Sequence, residues 1–312
     1  MLDVKRMRVL REVARQGSFS AAADELYLSQ SAVSQQIATL EKEVGQKLVQ
    51  RASGGPHLTQ AGELLVAHTD AVLCRLDEAE RELAALNGLR GGRLRLVSFP
   101  SASATLVTAA AAEFTTRYPD VKLELREAEP EDSFPALKRG EADVALLFDY
   151  DLVEAESDRD VEYHLLLEDR MWAAVPKGHP LAKKPAIELA ELAEEPWLRG
   201  QCDSTCRQMV TLACREAGFE PQVSYESDDY AVLQGLIAAK LGVTLLPDLA
   251  LTALHPGVEV IAIKPMPPLR RVWAATLTEG SRSAAAEAMV EILVDVGERF
   301  AAEVARPIAV AA

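Results

Sequence analysis

Apolar residues recur every three or four positions at the start of the chain, as they do along one face of an amphipathic helix. The run from Val4 to Val13 predicts a first helix that Gly17 ends, and Ser18 or Ser20 can cap a second helix. A short turn and a third periodic run follow. The spacing therefore predicts three consecutive short helices.

The third predicted helix, capped by Ser29, has one apolar and one polar side. Its apolar residues stand at steps of four, three and four and form one stripe: Val33, Ile37, Leu40 and Val44. On the polar side, glutamine can pair with adenine through two hydrogen bonds, and serine can meet a base edge or a phosphate. This pattern predicts a recognition helix in a DNA major groove, and a small helical bundle with a polar solvent face is the alternative. The predicted DNA-binding residues on this helix are Gln30, Ser31, Ser34 and Gln35.

Two short strands are predicted next, at 46–51 and 56–59, and they form a wing hairpin around residues 53–55. Arg51 is placed to reach a phosphate, and an ordinary exposed charge is the alternative. His57 has no Cys or His near it at ligand spacing, so we treat it as a DNA-binding wing residue and not as a metal ligand. Residues 1–58 are thus predicted to be a winged helix-turn-helix DNA-binding domain.

Thr59 can cap a long helix over about 60–88, in which apolar residues repeat every seven positions. Such spacing favours a coiled-coil partner, and a dimer would place two recognition helices on a pseudo-palindromic site. A helix that packs on its own domain is the alternative. We predict a dimerisation linker and hinge over 59–90, with the contact residues Leu65, Val72, Leu76, Ala79, Leu83 and Leu86.

From Gly92 the pattern changes to apolar strands that alternate with single helices, which implies parallel pairing and an α/β fold. The first strands are predicted at 93–97, 121–125 and 142–148. The pattern predicts two α/β subdomains, joined by crossing strands near 161–168 and 264–271. The predicted regulatory domain spans 91–312, with subdomain I at about 91–163 and 269–303 and subdomain II at about 164–268.

A cleft between two such subdomains is the expected ligand site. Ligands of α/β folds lie at the carboxyl ends of strands, where helix N-termini supply free backbone N–H groups. These donors, with hydroxyl groups and Arg199, would suit a small carboxylate as effector, and ordinary helix capping is the alternative for each residue. The predicted effector-binding residues are Ser98, Pro100, Ser101, Ser103, Phe148, Asp149, Arg199, Gln201, Ser204, Thr205 and Ser227, and Asp228 is a weaker candidate.

The chain has four cysteines, and none has the spacing of a zinc site, so we predict neither a metal nor a cofactor. Cys202, Cys206 and Cys214 surround the start of one predicted helix. Its N-terminus, together with Arg207, would favour the thiolate form of Cys206. Three ordinary reduced cysteines are the favoured interpretation.

Charge is distributed unevenly along the chain, which has 33 basic and 48 acidic residues and a net charge of −15. Residues 1–60 hold 8 basic and 6 acidic side chains, so only this segment suits double-stranded DNA, and a uniformly basic coat is excluded. We see no transmembrane stretch and no signal-peptide block, and we expect a cytoplasmic protein without a membrane partner. The common enzyme motifs are missing as well, so we predict that the protein is not an enzyme.

One ordered string of residues closely resembles the N-terminal signature of LysR-type transcriptional regulators. The string comprises Gly17–Ala23, Leu26, Ser29–Ile37, Leu40-Glu41, Gly45, Leu48, Arg51 and Leu58–Gly62. Ser31 stands where the family often has Pro, and Val49 stands where it usually has Phe. Further matches extend the resemblance over about residues 2–300: Tyr118–Val121, Gly140–Asp143, Pro176–Leu181 and Leu241–Pro247.

The resemblance implies a periplasmic-binding-protein-like effector domain and promoter binding that a small-molecule effector modulates. It also implies that the protein forms either a homodimer or a homotetramer that is built as a dimer of dimers. Some members sense peroxide through two cysteines, so a thiol-based redox sensor that uses Cys206 and Cys214 is the alternative, although Cys206 is one residue out of register. Lys240 stands where the family usually has Gly and would add a cation near the cleft.

Overall fold

The computed structural model consists of two compact units that divide after Leu83. We call Met1–Leu83 the N-terminal unit and Ala84–Ala312 the C-terminal unit. The residues that the structure describes are 2–52, 55–85, 91–153, 158–201, 204–278 and 283–304.

The N-terminal unit is a winged helix-turn-helix domain that begins with α1 (Val4–Gln16), α2 (Phe19–Glu25) and α3 (Gln30–Val44). The hydroxyl groups of Ser18 and Ser29 cap α2 and α3, because each accepts a hydrogen bond from the backbone N–H three residues later. Gly17 and Gly45 end α1 and α3 with φ of 57° and 75°, a left-handed conformation that glycine adopts at little cost. The three helices follow the sequence prediction.

The apolar stripe predicted on α3 is buried. Val33, Ile37 and Leu40 are at most 4% exposed, and they pack with Leu10 of α1 in the core of this unit. The wing follows as an antiparallel hairpin of β1 (Val49–Ala52) and β2 (Gly55–Leu58). The long helix α4 (Gln60–Ala85) is capped by Thr59, whose hydroxyl accepts a hydrogen bond of 3.1 Å from the N–H of Gly62.

The C-terminal unit alternates strands with helices. Its strands are β3 (Arg93–Ser98), β4 (Lys122–Glu127), β5 (Val144–Tyr150), β6 (Val161–Pro176), β7 (Ala186–Glu188), β8 (Pro196–Arg199), β9 (Gln222–Glu226), β10 (Thr244–Pro247), β11 (Val258–Lys264) and β12 (Leu269–Leu277). Its α-helices are α5 (Pro100–Ala102), α6 (Thr108–Arg117), α7 (Pro130–Lys138), α8 (Thr205–Glu216), α9 (Tyr230–Ala238), α10 (Asp248–Leu251) and α11 (Ala284–Val304), and a π-helical turn, Ser103–Val107, joins α5 to α6.

The main sheet is mixed, with the strand order β4-β3-β5-β12-β6-β11-β7, and β10 also pairs with β6. The strand β3 pairs in parallel with β4 and β5, as the alternation of strands and helices predicted. The returning strand β12 is antiparallel to both β5 and β6. A separate parallel pair, β8 with β9, completes the described sheets.

The long strand β6 connects two halves of the C-terminal unit. Nine of its first ten residues pair with β12, with a register shift at Leu166, and its last six pair with β10 and β11. The first half comprises β3–β5 and β12 with α5–α7 and α11, and the second half comprises β7–β11 with α8 and α9. Each half has its own core, which centres on Phe114 and Leu293 in the first and on Trp197 and Val243 in the second. Within the described residues, none of the helices has the length and apolar character that crossing a bilayer requires.

Candidate nucleic-acid interface and ligand cavity

The polar side of α3 faces away from the core of the N-terminal unit. Gln30, Ser31 and Gln35 are exposed, and Ser34 is half-buried. The hydroxyl oxygens of Ser29 and Ser31 lie 3.0 Å apart at the first turn of the helix. The four residues predicted to bind DNA thus form one accessible polar side, and their contact with DNA stays a prediction.

The two wing residues predicted to bind DNA lie on the hairpin. The backbone of Arg51 pairs with Pro56 across the two strands, while the side chain of Arg51 lies outside the described part of the chain. The side chain of His57 is exposed on β2. Contact of either residue with DNA also stays a prediction.

Tyr27, two residues before the cap of α3, is a candidate that sequence reasoning treated only as part of a turn. It is 96% exposed and has a φ of 54°. A left-handed conformation is unfavourable for a bulky side chain, and no local sequence signal distinguishes this tyrosine from an ordinary turn residue. Its position at the entry to α3 adds it to the accessible surface of that helix.

The seam predicted on α4 is wrong at its first position. Leu65 is only 8% exposed and packs in the core of the N-terminal unit, because the first turns of α4 lie on that core. Farther along the helix, three predicted residues are exposed, namely Val72, Leu76 and Ala79. The side chain of Leu83 and the whole of Leu86 lie outside the described residues.

A cavity of about 360 Å³ lies between the two halves of the C-terminal unit. The first half lines it with Phe99, Pro100, Ser101, Glu129, Glu131, Phe148 and Arg270, and the second half with Ser204, Thr205, Cys206, Asp228 and Tyr230. The space that the centre of a water molecule can occupy is only about 20 Å³, which is room for one or two waters. The two halves are therefore nearly closed on each other.

Arg270 is the cationic side chain in this lining, and it is 1% exposed. Its Nε donates to a carboxylate oxygen of Asp169 at 2.9 Å, and its Nη2 donates to the same carboxylate and, at 3.2 Å, to the Ser101 hydroxyl. The guanidinium also lies 5.2 Å from the ring centres of Phe99 and Phe148. Burial lowers the pKa of Arg270, but the Asp169 carboxylate, together with Tyr230 and Tyr150, outweighs burial and raises that pKa above its ordinary value.

Three carboxylates line the cavity. Glu131 reaches from α7 to the other half, where its Oε1 accepts hydrogen bonds from the N–H and the hydroxyl of Thr205 at 3.0 and 2.9 Å. Asp228 accepts one from the N–H of Gln201 through Oδ1, at 3.0 Å. The carboxylate of Glu129 accepts no hydrogen bond from any residue that the structure describes. Burial, followed by the carboxylates of Glu131 and Asp228, raises the pKa of Glu129 to about 7.

Cys206 forms part of the cavity wall between two tyrosines. Its sulfur lies 3.3 Å from the hydroxyl oxygen of Tyr150 and 3.2 Å from that of Tyr230. Burial raises the pKa of the Cys206 thiol, and the two hydrogen bonds oppose this rise without cancelling it. The expectation that the helix N-terminus and Arg207 favour the thiolate is therefore wrong.

Cys214 lies on the same helix, α8, and is fully buried. Burial, with a smaller effect of Glu220, raises the pKa of its thiol to about 12. Eight residues of α-helix span about 12 Å, whereas the Cα atoms of a disulfide lie at most about 7 Å apart. Cys206 and Cys214 therefore cannot pair while α8 is intact, and Cys202 lies outside the described residues.

The structure brings only part of the predicted effector-binding set to the cavity. The predicted residues that line it are Pro100, Ser101, Phe148, Ser204 and Thr205, and the weaker candidate Asp228 lines it as well. The side chains of three other predicted residues either bond to the nearby backbone or face solvent. The Ser98 hydroxyl donates to the carbonyl of Phe99, the Ser103 hydroxyl donates to that of Ser98, and the Gln201 side chain is exposed. These three residues were expected in the cavity and are not there.

Asp149, Ser227 and Arg199 are also absent from the cavity lining. Successive strand residues point to opposite faces, so Asp149, next to Phe148, bonds instead to side chains of β12. Ser227 accepts a hydrogen bond of 3.2 Å from the N–H of Asp229. Arg199 donates to Glu226 at 3.0 and 3.1 Å, so the cation expected to bind a carboxylate has its own partner.

Sequence reasoning missed several residues of the cavity, and one signal would have found two of them. Glu129 and Glu131 follow the carboxyl end of β4, where the rule already used for β3 and β5 applies. The same rule could not find Arg270, because Arg270 lies at the start of the antiparallel strand β12 and the rule applies to the carboxyl ends of parallel strands. Lys240 is exposed, has a φ of 63° that suits the usual glycine, and does not line this cavity. In the described part of the chain, no group of three or more His, Cys, Asp or Glu side chains could hold a metal ion.

Comparisons with known proteins match each of the two units to a described family of domains. Residues 4–63 match the model of the bacterial regulatory helix-turn-helix protein, lysR family, and residues 87–298 match that of the LysR substrate binding domain. A probable HTH-type transcriptional regulator of Synechococcus elongatus, LrrA, is 31% identical over 300 residues, which cover 94% of this chain and 96% of the relative.

Two solved structures share the fold. Full-length OxyR from Pseudomonas aeruginosa has a TM-score of 0.68 at 24% identity, over 95% of this chain and 97% of that chain. Full-length CbnR in complex with its target DNA has a TM-score of 0.65 at 18% identity, over 96% of this chain and 99% of that chain. Such low identities support the fold and nothing finer.

Proposed function

Since the chain belongs to the LysR family of bacterial transcriptional regulators, we propose that it binds a specific DNA operator through its N-terminal unit. We further propose that a small-molecule effector in the cavity modulates this binding, and that the protein acts in the cytoplasm and is not an enzyme. An operator-binding segment at 1–58, a linker at 59–90 and a regulatory segment from 91 belong to the same proposal.

The observation that carries the proposal is the exposed polar side of α3. Gln35 lies near the middle of that side, while Val33 and Ile37 on either side of it in sequence are buried. A helix that offers an amide and short hydroxyl groups can read base edges in a major groove. The acidic remainder of the chain disfavours binding by charge alone, so we infer that sequence readout contributes much of the affinity.

Gln35→Ala tests this readout. We expect the substitution to weaken binding to the promoter DNA next to the gene by about 1–3 kcal/mol, because a base edge loses its amide partner. A gel-shift titration measures the change, with non-specific DNA as a second substrate on which the variant should equal the wild type. Gln36→Ala is the matched control, because Gln36 lies about 100° around the same helix. Equal losses for both variants, or none for Gln35→Ala, would remove Gln35 from the readout.

We propose that effector binding shifts the closure of the two halves and, in an oligomer, the spacing of paired recognition helices. An effector can act only as far as its affinity differs between the two arrangements. The nearly closed cavity with side chains from both halves supports this role. The exposed apolar residues of α4 support a homodimer, and a dimer of dimers extends the same arrangement.

A thiol-based sensor of the same fold is the alternative, and the position of Cys206 in the cavity wall is the observation that favours it. The raised pKa of both thiols and the intact helix between Cys206 and Cys214 argue against a disulfide switch in the native protein. Effector binding is therefore the better supported function.

A further inference from the structure

We propose that the cavity between the two halves selects a small organic cation, a primary ammonium compound, and not a carboxylate. The inference rests on the proposed effector-binding function and names the chemical class of its ligand. It follows from the cavity lining, in which the Thr205 N–H and the Arg270 guanidinium already have partners inside the protein while three carboxylates face the same space.

Two strong donors that would attract a carboxylate, the N–H of Thr205 and the guanidinium of Arg270, are occupied. The N-terminal N–H of α8, at Thr205, donates to Glu131, so a carboxylate of the protein itself fills that position. Arg270 bonds to Asp169 and to Ser101, and the Asp169 carboxylate neutralises its charge. A ligand carboxylate would have to displace one of these partners.

The groups that remain available are acceptors. The carboxylate of Glu129 accepts no hydrogen bond from the described residues, and the carboxylate of Asp228 uses only Oδ1, for the N–H of Gln201. An ammonium group carries three donors and one positive charge, so it matches these oxygens in number and in sign. An anion at the same place would face the carboxylates of Glu129, Glu131 and Asp228, with the one guanidinium already paired.

The shape and lining of the cavity favour an organic cation. Phe148 and Tyr230 supply aromatic wall from opposite halves, which suits the carbon chain of a ligand. The carboxylates do not belong to any group of described side chains that could hold a metal ion. The cavity between the closed halves has room for only one or two water molecules, so the ligand is small and its entry requires the two halves to open.

The charges around Glu129 make this selection depend on pH. The carboxylates of Glu127, Glu131 and Asp228, the thiol of Cys206 and the guanidinium of Arg270 surround it, and its pKa lies at about 7. An ammonium ligand binds the ionised form of Glu129, and below this pKa the ligand must first displace a proton. Affinity should therefore fall about tenfold between pH 8 and pH 6.

Ligand-observed NMR with the full chain tests the proposal, with n-butylamine, n-butyrate and n-butanol as size-matched probes at millimolar concentrations. We expect butylamine to bind at pH 8 and the other two probes not to bind. Glu129→Gln, which keeps the size of the side chain, should weaken butylamine binding at least tenfold and abolish its dependence on pH. Asp132→Asn is the matched control, because it removes a nearby exposed carboxylate that does not line the cavity, and it should bind butylamine like the wild type.

The outcomes separate this inference from the proposed function. Binding of butyrate or butanol in preference to butylamine would overturn the cationic class and would leave an effector cavity of another specificity. Absence of binding by all three probes would overturn the inference, while the gel shift with Gln35→Ala tests operator binding independently. If Glu129→Gln lowers the melting temperature, Asp228→Asn provides a second variant. Unchanged butylamine binding by folded Glu129→Gln and by folded Asp228→Asn would also overturn the proposal.

Discussion

Glu41 is a buried carboxylate that joins the recognition helix to the wing. It is 8% exposed, and its Oε1 accepts hydrogen bonds from the N–H groups of Leu48 and Val49 at 3.0 and 3.3 Å. Lys47 donates to its other oxygen at 2.6 Å. Since buried backbone donors need a partner, this side chain fixes how the first wing strand leaves α3.

Glu41→Ala should destabilise the connection between α3 and the wing by about 2 kcal/mol, because two backbone N–H groups lose their acceptor. Hydrogen exchange measured by mass spectrometry should show about thirtyfold faster exchange in peptides that contain Leu48 and Val49. Glu43→Ala is the control, because the half-exposed pair of Glu43 with Arg6 contributes less than about 1 kcal/mol. Equal protection in both variants would contradict this role of Glu41.

The same carboxylate should make the wing sensitive to acid. Burial alone would raise the pKa of Glu41, but hydrogen bonds from Lys47, Leu48 and Val49 outweigh burial and lower it below 4.5. The stabilisation is therefore present above pH 4.5 and disappears as the pH falls through the lower pKa of the folded state.

At the scale of single residues, the sequence predicts which apolar residues of a helix are buried, but it does not predict which partners the charged residues bind. The period of α3 predicted that Val33 and Leu40 are buried, because periodicity reports which side of a helix faces the core. The burial of Glu41 could not be predicted in the same way, because it depends on N–H groups of the wing that fold against it. Likewise, Arg199 and Arg270 cannot be distinguished by sequence position, since the partners Glu226 and Asp169 are decided by strand pairing.

At the scale of one element, α8 separates two cysteines that a redox mechanism would have to join. Treatment of the native chain with diamide should give no peptide in which Cys206 is linked to Cys214, because about 12 Å of helix lies between them. Non-reducing peptide mapping by mass spectrometry measures this. The same treatment in concentrated urea is the control, where the unfolded segment should yield the linked peptide. A native Cys206–Cys214 link would instead favour the thiol-based alternative.

The elements also explain which part of the cavity was predictable. The carboxyl ends of β3 and β5 were recognised from sequence, and they supply Pro100, Ser101 and Phe148. The end of β4 follows the same physical rule and supplies Glu129 and Glu131, which reasoning from isolated hydroxyl-rich stretches did not include. Alternation along β5 then decides that Phe148 faces the cavity and Asp149 does not, a distinction that needs the register with β12.

At the scale of the whole molecule, α4 leaves an apolar surface along its described second half. Val72 is 37% exposed and Leu76 is 47% exposed, and Ala79 continues the same side. Residues that repeat along one side of a long helix are typical of a helix–helix interface. The heptad pattern predicted these positions, but it could not show that Leu65 belongs to the core of its own unit.

Leu76→Glu should weaken the proposed dimer, because it places a charge within an apolar helix–helix contact. Sedimentation velocity at micromolar concentration should show a smaller species than the wild type. Ala67→Glu is the control, because Ala67 is exposed nine residues earlier, on the opposite side of the helix. If both variants sediment like the wild type, the exposed stripe of α4 is not the contact between chains.

The hydrogen bonds of Glu131 with Thr205 hold the two halves together and therefore affect the apparent affinity for the proposed effector. Because the cavity between the halves has room for one or two waters, the proposed effector can enter only in the fraction of molecules in which this bridge is broken. The measured affinity is then the intrinsic affinity multiplied by that fraction, and a bridge of about 1 kcal/mol would weaken it about fivefold. In the proposed effector mechanism, the strength of the contact between Glu131 and Thr205 therefore sets the effector concentration at which the protein responds.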